Sequence, residues 1–351
     1  MTNNKHAQWK IALAFAMIYI VWGSTFFFIH KALAGFEPFL LGALRFTAAG
    51  ALLLGWCYRK GYRLFNRAAI IKAGFTGLLL LFVDNGVIIW VEQTLPSGLV
   101  AIMSASAAIW FIILDKPQWK KNFGSLPIIT GLFTGFFGVV LLFGDQVAHA
   151  MDATQREANI GGMLLLMLGA IAWTSGSLYS KYSAAPKQTG NNSAVNTGWQ
   201  MFIAGIVFGL TALVRGEVSR FEFAHVPAPA WWAIGYLICF GSIVAYSAYI
   251  WLLQVRPATQ VSTHTYVNPI VAVLLGVCFA GETITATQLT GLGVILFSVL
   301  LVNWEAYNLS ALFSRRRPAT GLRRKDTVRS KIRDTVPRSN TGETTEDRIT
   351  G

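Results

Sequence analysis

IWVEQTLP, Ile89–Pro96, is written again as IWLLQVRP, Ile250–Pro257, 161 residues further along the chain. Working outward, IVWGS (Ile20–Ser24) meets IAWTS (Ile171–Ser175) at an offset of 151. RFTAAG (Arg45–Gly50) meets QMFIAG (Gln200–Gly205) at 155, and TGL at 130–132 meets TGL at 290–292 at 160. The matches are collinear and their offset drifts slowly. The chain therefore reads as one unit written twice.

What kind of unit follows from composition. Of 351 residues, 54% are hydrophobic and 13% are charged, against about 25% charged in an average soluble domain. The mean hydropathy is +0.50. Such a chain lacks the polar surface of a soluble protein and reads as a polytopic membrane protein. Ten apolar runs recur, with approximate cores at 10–30, 38–57, 70–91, 96–115, 125–144, 160–181, 197–214, 230–253, 258–280 and 285–303. They are expected to be helices, because open strands leave backbone groups unsatisfied in lipid. The first run is long enough to cross a bilayer, so it is read as a retained helix and not as a cleaved leader. Five helices per repeat is an odd number, so the second copy enters the membrane from the other side. The expected fold is an all-α membrane protein with ten transmembrane helices as two inverted five-helix repeats. The repeats are 1–145 and 158–304, followed by a basic, disordered cytoplasmic tail at 305–351.

The net charge of +13 has the distribution of membrane topology and not of a nucleic-acid interface. Of 29 Lys and Arg, 24 fall at one set of helix ends or in the tail, and Lys31, Arg156, Arg215 and Arg220 fall at the other. The remaining one is Arg45, inside an apolar run. Basic loops stay in the cytoplasm, so both termini are expected there. Cys57, Cys239 and Cys278 have no CxxC spacing and read as apolar side chains.

VWGSTFFFIHKAL, LGALRF, YVNPIVAVLLGVCFAGETIT and TGLGVILFSVLLV resemble the EamA-type members of the drug/metabolite transporter superfamily. The resemblance covers about residues 10–305. It implies ten helices in a five-plus-five arrangement, a bacterial inner-membrane location and export of small metabolites such as amino acids. The first repeat departs from the pattern. Ala108 stands where the second repeat has Pro269, and the helix matching the one that leads to Glu282 ends ILDKPQWKKNFG, without a glutamate.

Polar residues inside the runs are the candidates for function. Arg45 lies about six residues, roughly 9 Å, from the outer end of its helix. An arginine at mid-membrane costs about 2.5–3.5 kcal/mol on insertion scales. It either snorkels, pairs with a carboxylate, or faces a cavity and holds an anionic group of the substrate. Its repeat mate Gln200 is also polar. Asp84 and Asn85 interrupt LLLLFVDNGVIIW; Asp84 is an inert polar residue, a proton-coupling carboxylate or the partner of Arg45. His264, Tyr266 and Asn268 precede Pro269, which frees the carbonyl of Thr265 at a kink suited to ligand contact. Trp22 and Trp173 begin helices that, by the resemblance, line a central cavity, and Ser24 and Trp199 join them as pathway candidates. GLFTG at 131–135 and GIVFG at 205–209 read as close helix packing.

No phosphate loop, HExxH or Ser/His/Asp arrangement is present, so neither an ATP-driven pump nor an enzyme is indicated. The expected function is a secondary transporter of the inner membrane. It would export amino acids or similar small metabolites by alternating access. The alternatives are a drug-efflux or uptake carrier, or a membrane scaffold using its basic tail. No cofactor and no metal is expected. The partners are a small-molecule substrate and the lipid bilayer, with no nucleic acid; the sequence is compatible with a homodimer.

Overall fold

In the computed structural model, residues 3–95, 97–144, 156–183, 192–280 and 284–304 are described. The tail at 305–351, Pro96 and Glu282 lie outside them. We label the main helices α1 (Asn3–Leu33), α2 (Pro38–Arg59), α3 (Arg67–Val91), α4 (Leu99–Leu114), α5 (Leu126–Leu142), α6 (Arg156–Tyr182), α7 (Ser193–Val214), α8 (Ala228–Val255), α9 (Ala258–Phe279) and α10 (Ala286–Val302). No strand occurs among the described residues.

Local chemistry sets the helix starts. Pro38 opens α2, where its missing N–H is harmless. Asn66 caps α3 by accepting from the Ala69 N–H, and Asn192 caps α7 by accepting from Ala194. Thr285 and Gln288 form a reciprocal capping box at α10. Gly216, at φ 71°, supplies the left-handed turn after α7.

Among the described residues, seven helices are long and apolar enough to cross a membrane. This is fewer than the ten spans expected from the sequence. The differences have local causes. α4 is followed, after a bend of 66°, by the helix Lys116–Gly124, where Pro117 interrupts the ladder; counted as one span, the pair raises the number to eight. α5 and α10 have 17 residues each. At 1.5 Å per residue that is about 26 Å, short of a hydrocarbon core of about 30 Å.

Two helix pairs form the closest packing. α2 lies on α7, and α5 lies on α10. A Cβ placed on Gly50 would come 2.5 Å from the Phe202 N, and one on Gly205 would come 2.3 Å from the Thr47 N. A Cβ on Gly291 would meet the Gly138 carbonyl at 2.9 Å. Only glycine allows backbones this near, so Gly205 serves helix packing as GIVFG suggested, and Gly131 of GLFTG does the same, its Cβ falling 2.9 Å from the Val302 N. α1 packs on α8 and α9, while α6 packs on α3 and α4.

The basic loops gather at one end of these helices. There the Lys181 Nζ donates to the carbonyls of Leu253 and Arg256, and the Tyr182 hydroxyl donates to Asp115. At the opposite end Arg220 makes a two-pronged pair with Glu37, at 2.8 and 2.6 Å. Those hydrogen bonds hold the Glu37 carboxyl below its ordinary 4.5. Nearby, the buried Glu217 accepts from the Leu40 N–H at 2.8 Å, which satisfies a donor in the first turn of α2.

Candidate functional site

A cavity of about 860 Å³, its open margin included, lies among α1, α2, α3, α4, α6, α8 and α9. Its lining reaches Ile29, Ile88 and Ala101, toward the end opposite the basic loops. Trp22, Arg45, Asp84, Asn85, Trp173, His264, Asn268 and Pro269, all singled out in the sequence, line it.

Arg45 is 4% exposed. Its Nε donates to the Ser242 hydroxyl at 2.9 Å, and its guanidinium carbon lies 4.7 Å from the centre of the Phe46 ring. Among the described residues no carboxylate comes within the 4.0 Å of an ion pair, so the pairing with Asp84 considered from the sequence is not formed. The reason is geometric: the fork is held by α8, while Asp84 projects from α3 beside Gly169 of α6, its Oδ1 being 3.3 Å from where a Gly169 Cβ would stand. Among the described residues, neither Nη group donates a hydrogen bond. A fixed, desolvated guanidinium with two unused donors is a receptor for a planar oxyanion.

Three lining rings, Trp22, Trp173 and His264, form the floor, and Tyr249 packs behind them. The Trp22 centroid lies 5.5 Å from Trp173, 5.1 Å from Tyr249 and 5.0 Å from His264. Trp173 and Tyr249 are 5.0 Å apart. The Trp22 Nε1 donates to the Gly241 carbonyl at 3.0 Å, whereas the buried Trp173 Nε1 makes no hydrogen bond of good geometry. His264 Nδ1 lies 2.8 Å from the Val261 carbonyl. A carbonyl only accepts, so the proton is on Nδ1 and Nε2 is left as an acceptor in the neutral ring. Beneath the rings the Tyr249 hydroxyl bonds Ser177 at 2.6 Å, and Tyr19 bonds Thr263 at 2.7 Å. This wall separates the cavity from the basic end.

Two widened helical segments set the polar groups. α3 runs as a π-helix over Leu78–Asp84, and α8 does so over Leu237–Tyr246. Such segments are rare and recur at functional sites. In α3 the Asn85 side chain donates to the Leu80 carbonyl at 3.1 Å. In α8 the segment presents the Gly241 carbonyl to Trp22 and the Ser242 hydroxyl to Arg45.

The EamA-like transporter family matches this chain twice, over residues 9–144 and 160–304. The chain belongs to that family. It is a membrane transporter. The chain is 33% identical over 293 residues to the "Uncharacterized inner membrane transporter YedA" of Escherichia coli, covering 83% of this chain and 89% of that one. It is 26% identical to "Protein PecM" of Dickeya dadantii, covering 88% of this chain and 95% of PecM. It is 24% identical to a chloroplastic WAT1-related protein of Arabidopsis thaliana, covering 86% and 70%. A crystal structure of a protein with 15% identity aligns at a TM-score of 0.68, covering 85% of this chain and 98% of that one, and so shares its fold.

Four candidates of this EamA-family transporter lie elsewhere. Trp199 faces the basic-end loop, where its Nε1 donates to the Leu64 carbonyl at 2.9 Å and its ring packs on Phe65. Gln200 points between α3 and α8 and accepts from the Tyr246 hydroxyl at 2.8 Å. The Tyr266 hydroxyl reaches across to the Leu132 carbonyl of α5, because Gly135 leaves room for the ring. Ser24 bonds back to the Val21 carbonyl and to the Tyr236 hydroxyl. Asn268 lines the cavity with its amide nitrogen donating to the carbonyls of His264 and Ile18. Sequence reasoning missed Ser242, Tyr246 and Tyr249. Of these, Tyr246 carries a signal: at the offset of 161 it is the mate of Asn85.

Proposed function

We propose that this transporter is a secondary carrier that exports a small organic anion or an amino acid by alternating access. The observation that carries this is Arg45: buried, held through Nε by Ser242, without a carboxylate partner among the described residues, and lining the cavity. A carrier of lipophilic cations gains nothing from such a group; a carrier of carboxylates does. The aromatic floor gives an apolar part of the substrate a surface to lie on.

The architecture is read as ten crossing segments in two inverted repeats, 1–145 and 158–304, with α4 a bent span and α5 and α10 short ones. The π-helical segments of α3 and α8 support this, because they fall at matching places near the offset of 161. The membrane is the inner membrane, in line with the printed name of the Escherichia coli relative, with both termini in the cytoplasm.

The test is flux in proteoliposomes against a panel of amino acids, organic acids and cationic dyes. Arg45→Gln should insert normally and lose affinity for carboxylates. Arg45→Lys should recover part of it, since lysine lacks the planar fork. Unchanged carboxylate flux in a well-folded Arg45→Gln would refute the proposal.

A further inference from the structure

A second cavity lies at the basic end, among α3, α6, α7 and α8. It holds about 790 Å³ with its open margin, and Lys72, Thr76, Ser180, Asn196, Gln200 and Gln254 line it. Its lining has one cation, Lys72, and no carboxylate. The rest of its polar groups are amides and hydroxyls. Such a surface attracts a small anion and holds it weakly, as a vestibule must.

The two cavities meet at one hydrogen bond. Tyr246 lines the central cavity, Gln200 lines the second, and the Tyr246 hydroxyl donates to the Gln200 Oε1 at 2.8 Å. Both residues are buried, at 1% and 3% exposed. The backbone beside them is rigidly packed: a Cβ on Gly77 of α3 would stand 2.3 Å from the Gln200 carbonyl oxygen. Side-chain movement of this pair is therefore the route of least resistance between the cavities. The repeat points the same way. At the offsets of 151 and 155, Ser180 and Gln200 are the mates of Ile29 and Arg45. Ile29 and Arg45 line the central cavity, while Ser180 and Gln200 line the second. Two repeat pairs thus divide between the cavities, while the pairs Trp22/Trp173 and Asn85/Tyr246 share the central one.

We propose that the second cavity is the inner vestibule of the transport path for the anionic substrate, and that the Tyr246–Gln200 bond is the partition between it and the central cavity. This rests on the reading of the protein as a carrier of organic anions. A carboxylate in the path competes with the Gln200 Oε1 for the Tyr246 O–H, and it accepts more strongly than a neutral amide. The Gln200 amide nitrogen, which donates to none of the described residues, then offers a second donor to the same anion. The substrate itself opens the partition by this exchange. A tetraalkylammonium ion has no lone pair to offer Tyr246 and leaves the bond closed.

The experiment reads access, not transport. In full-length protein with Cys57, Cys239 and Cys278 changed to alanine, Ser104→Cys places one thiol in the central cavity. A membrane-impermeant maleimide is applied to vesicles that present the basic end. Tyr246→Phe should raise the labelling rate about two- to tenfold, the range set by the net worth of one hydrogen bond. Tyr249→Phe, which breaks the bond to Ser177 under the aromatic floor, should leave it unchanged. If Tyr246→Phe is not monodisperse, Gln200→Leu removes the acceptor and carries the same expectation. Labelling that rises with Tyr249→Phe and not with Tyr246→Phe would put the path through the aromatic floor and overturn the proposal. Labelling that rises with neither also overturns it. No substrate is needed, so this outcome is independent of the Arg45 flux test.

Discussion

Replacing Gly205 with alanine tests the packing that holds the two halves together. The new Cβ would stand 2.3 Å from the Thr47 N, 2.4 Å from its Oγ1 and 2.8 Å from its Cα. Two of these three atoms are backbone and cannot rotate away. Reaching an ordinary 3.4 Å contact means moving the α2 backbone by about 1.1 Å. Overpacking of this kind costs about 1–3 kcal/mol. The same substitution at Gly55 or Gly293 meets nothing within 4 Å. There it should stabilise, since alanine is favoured over glycine in a helix by about 0.8–1.0 kcal/mol. All three variants share that propensity gain, so their difference isolates the packing. Thermal unfolding in detergent should place the Gly205→Ala midpoint about 2–5 °C below the midpoints of Gly55→Ala and Gly293→Ala. Equal midpoints would refute the close approach of α2 and α7.

Glu217→Ala should destabilise by about 1–3 kcal/mol, because it leaves the buried Leu40 N–H without its acceptor; chemical unfolding in detergent reads this. The Glu37 carboxyl is held low by Arg220, so the clasp is complete at neutral pH and is lost as pH falls through that lowered value, below about 4.5. Arg220→Gln should flatten the loss of thermal midpoint between pH 5 and pH 3, and a profile identical to the parent would remove the pair from the account. Asp84→Asn should keep exchange of substrate for substrate while net uphill transport falls, if this carboxyl carries the coupling proton; equal losses in both assays would make it a binding residue instead. Reporter fusions after Lys60 and Lys187 should read cytoplasm and after Gln155 the outside, and a Lys187 fusion that reads outside would undo the inverted arrangement.

Much of the site was legible because its residues break an apolar background. Arg45, Asp84 and Asn85 stand alone in their runs, and Pro269 marks a freed carbonyl wherever it occurs in a helix. Gln200 was found by its offset from Arg45, and the structure gives it a different cavity. A repeat alignment fixes an equivalent place in the other half, and in an inverted pair that place belongs to the other end. Ser242 and Tyr249 were not legible. Serine and tyrosine are common in membrane helices, and nothing in LICFGSIVAY announces a widened turn. The lengths of α5 and α10 were over-read by two or three residues, because apolar residues that end a helix look the same in sequence as those inside it.

The widened segments of α3 and α8 have a consequence for how these helices tolerate length change. A turn that bonds five residues back holds one residue more than the regular turn. Deleting one residue, such as Leu79 or Ile238, would let the helix close up as an ordinary one, each five-back bond being exchanged for a four-back one. Everything beyond the deletion would keep its phase, because the wide turn already absorbs the roughly 100° that one residue adds at 3.6 residues per turn. Regularising the segment with the residue retained would instead turn Asn85 away from the cavity by about that angle. The extra residue in each segment acts as a phase shifter. It lets one continuous helix show its packing face at one end and its polar face to the cavity at the other.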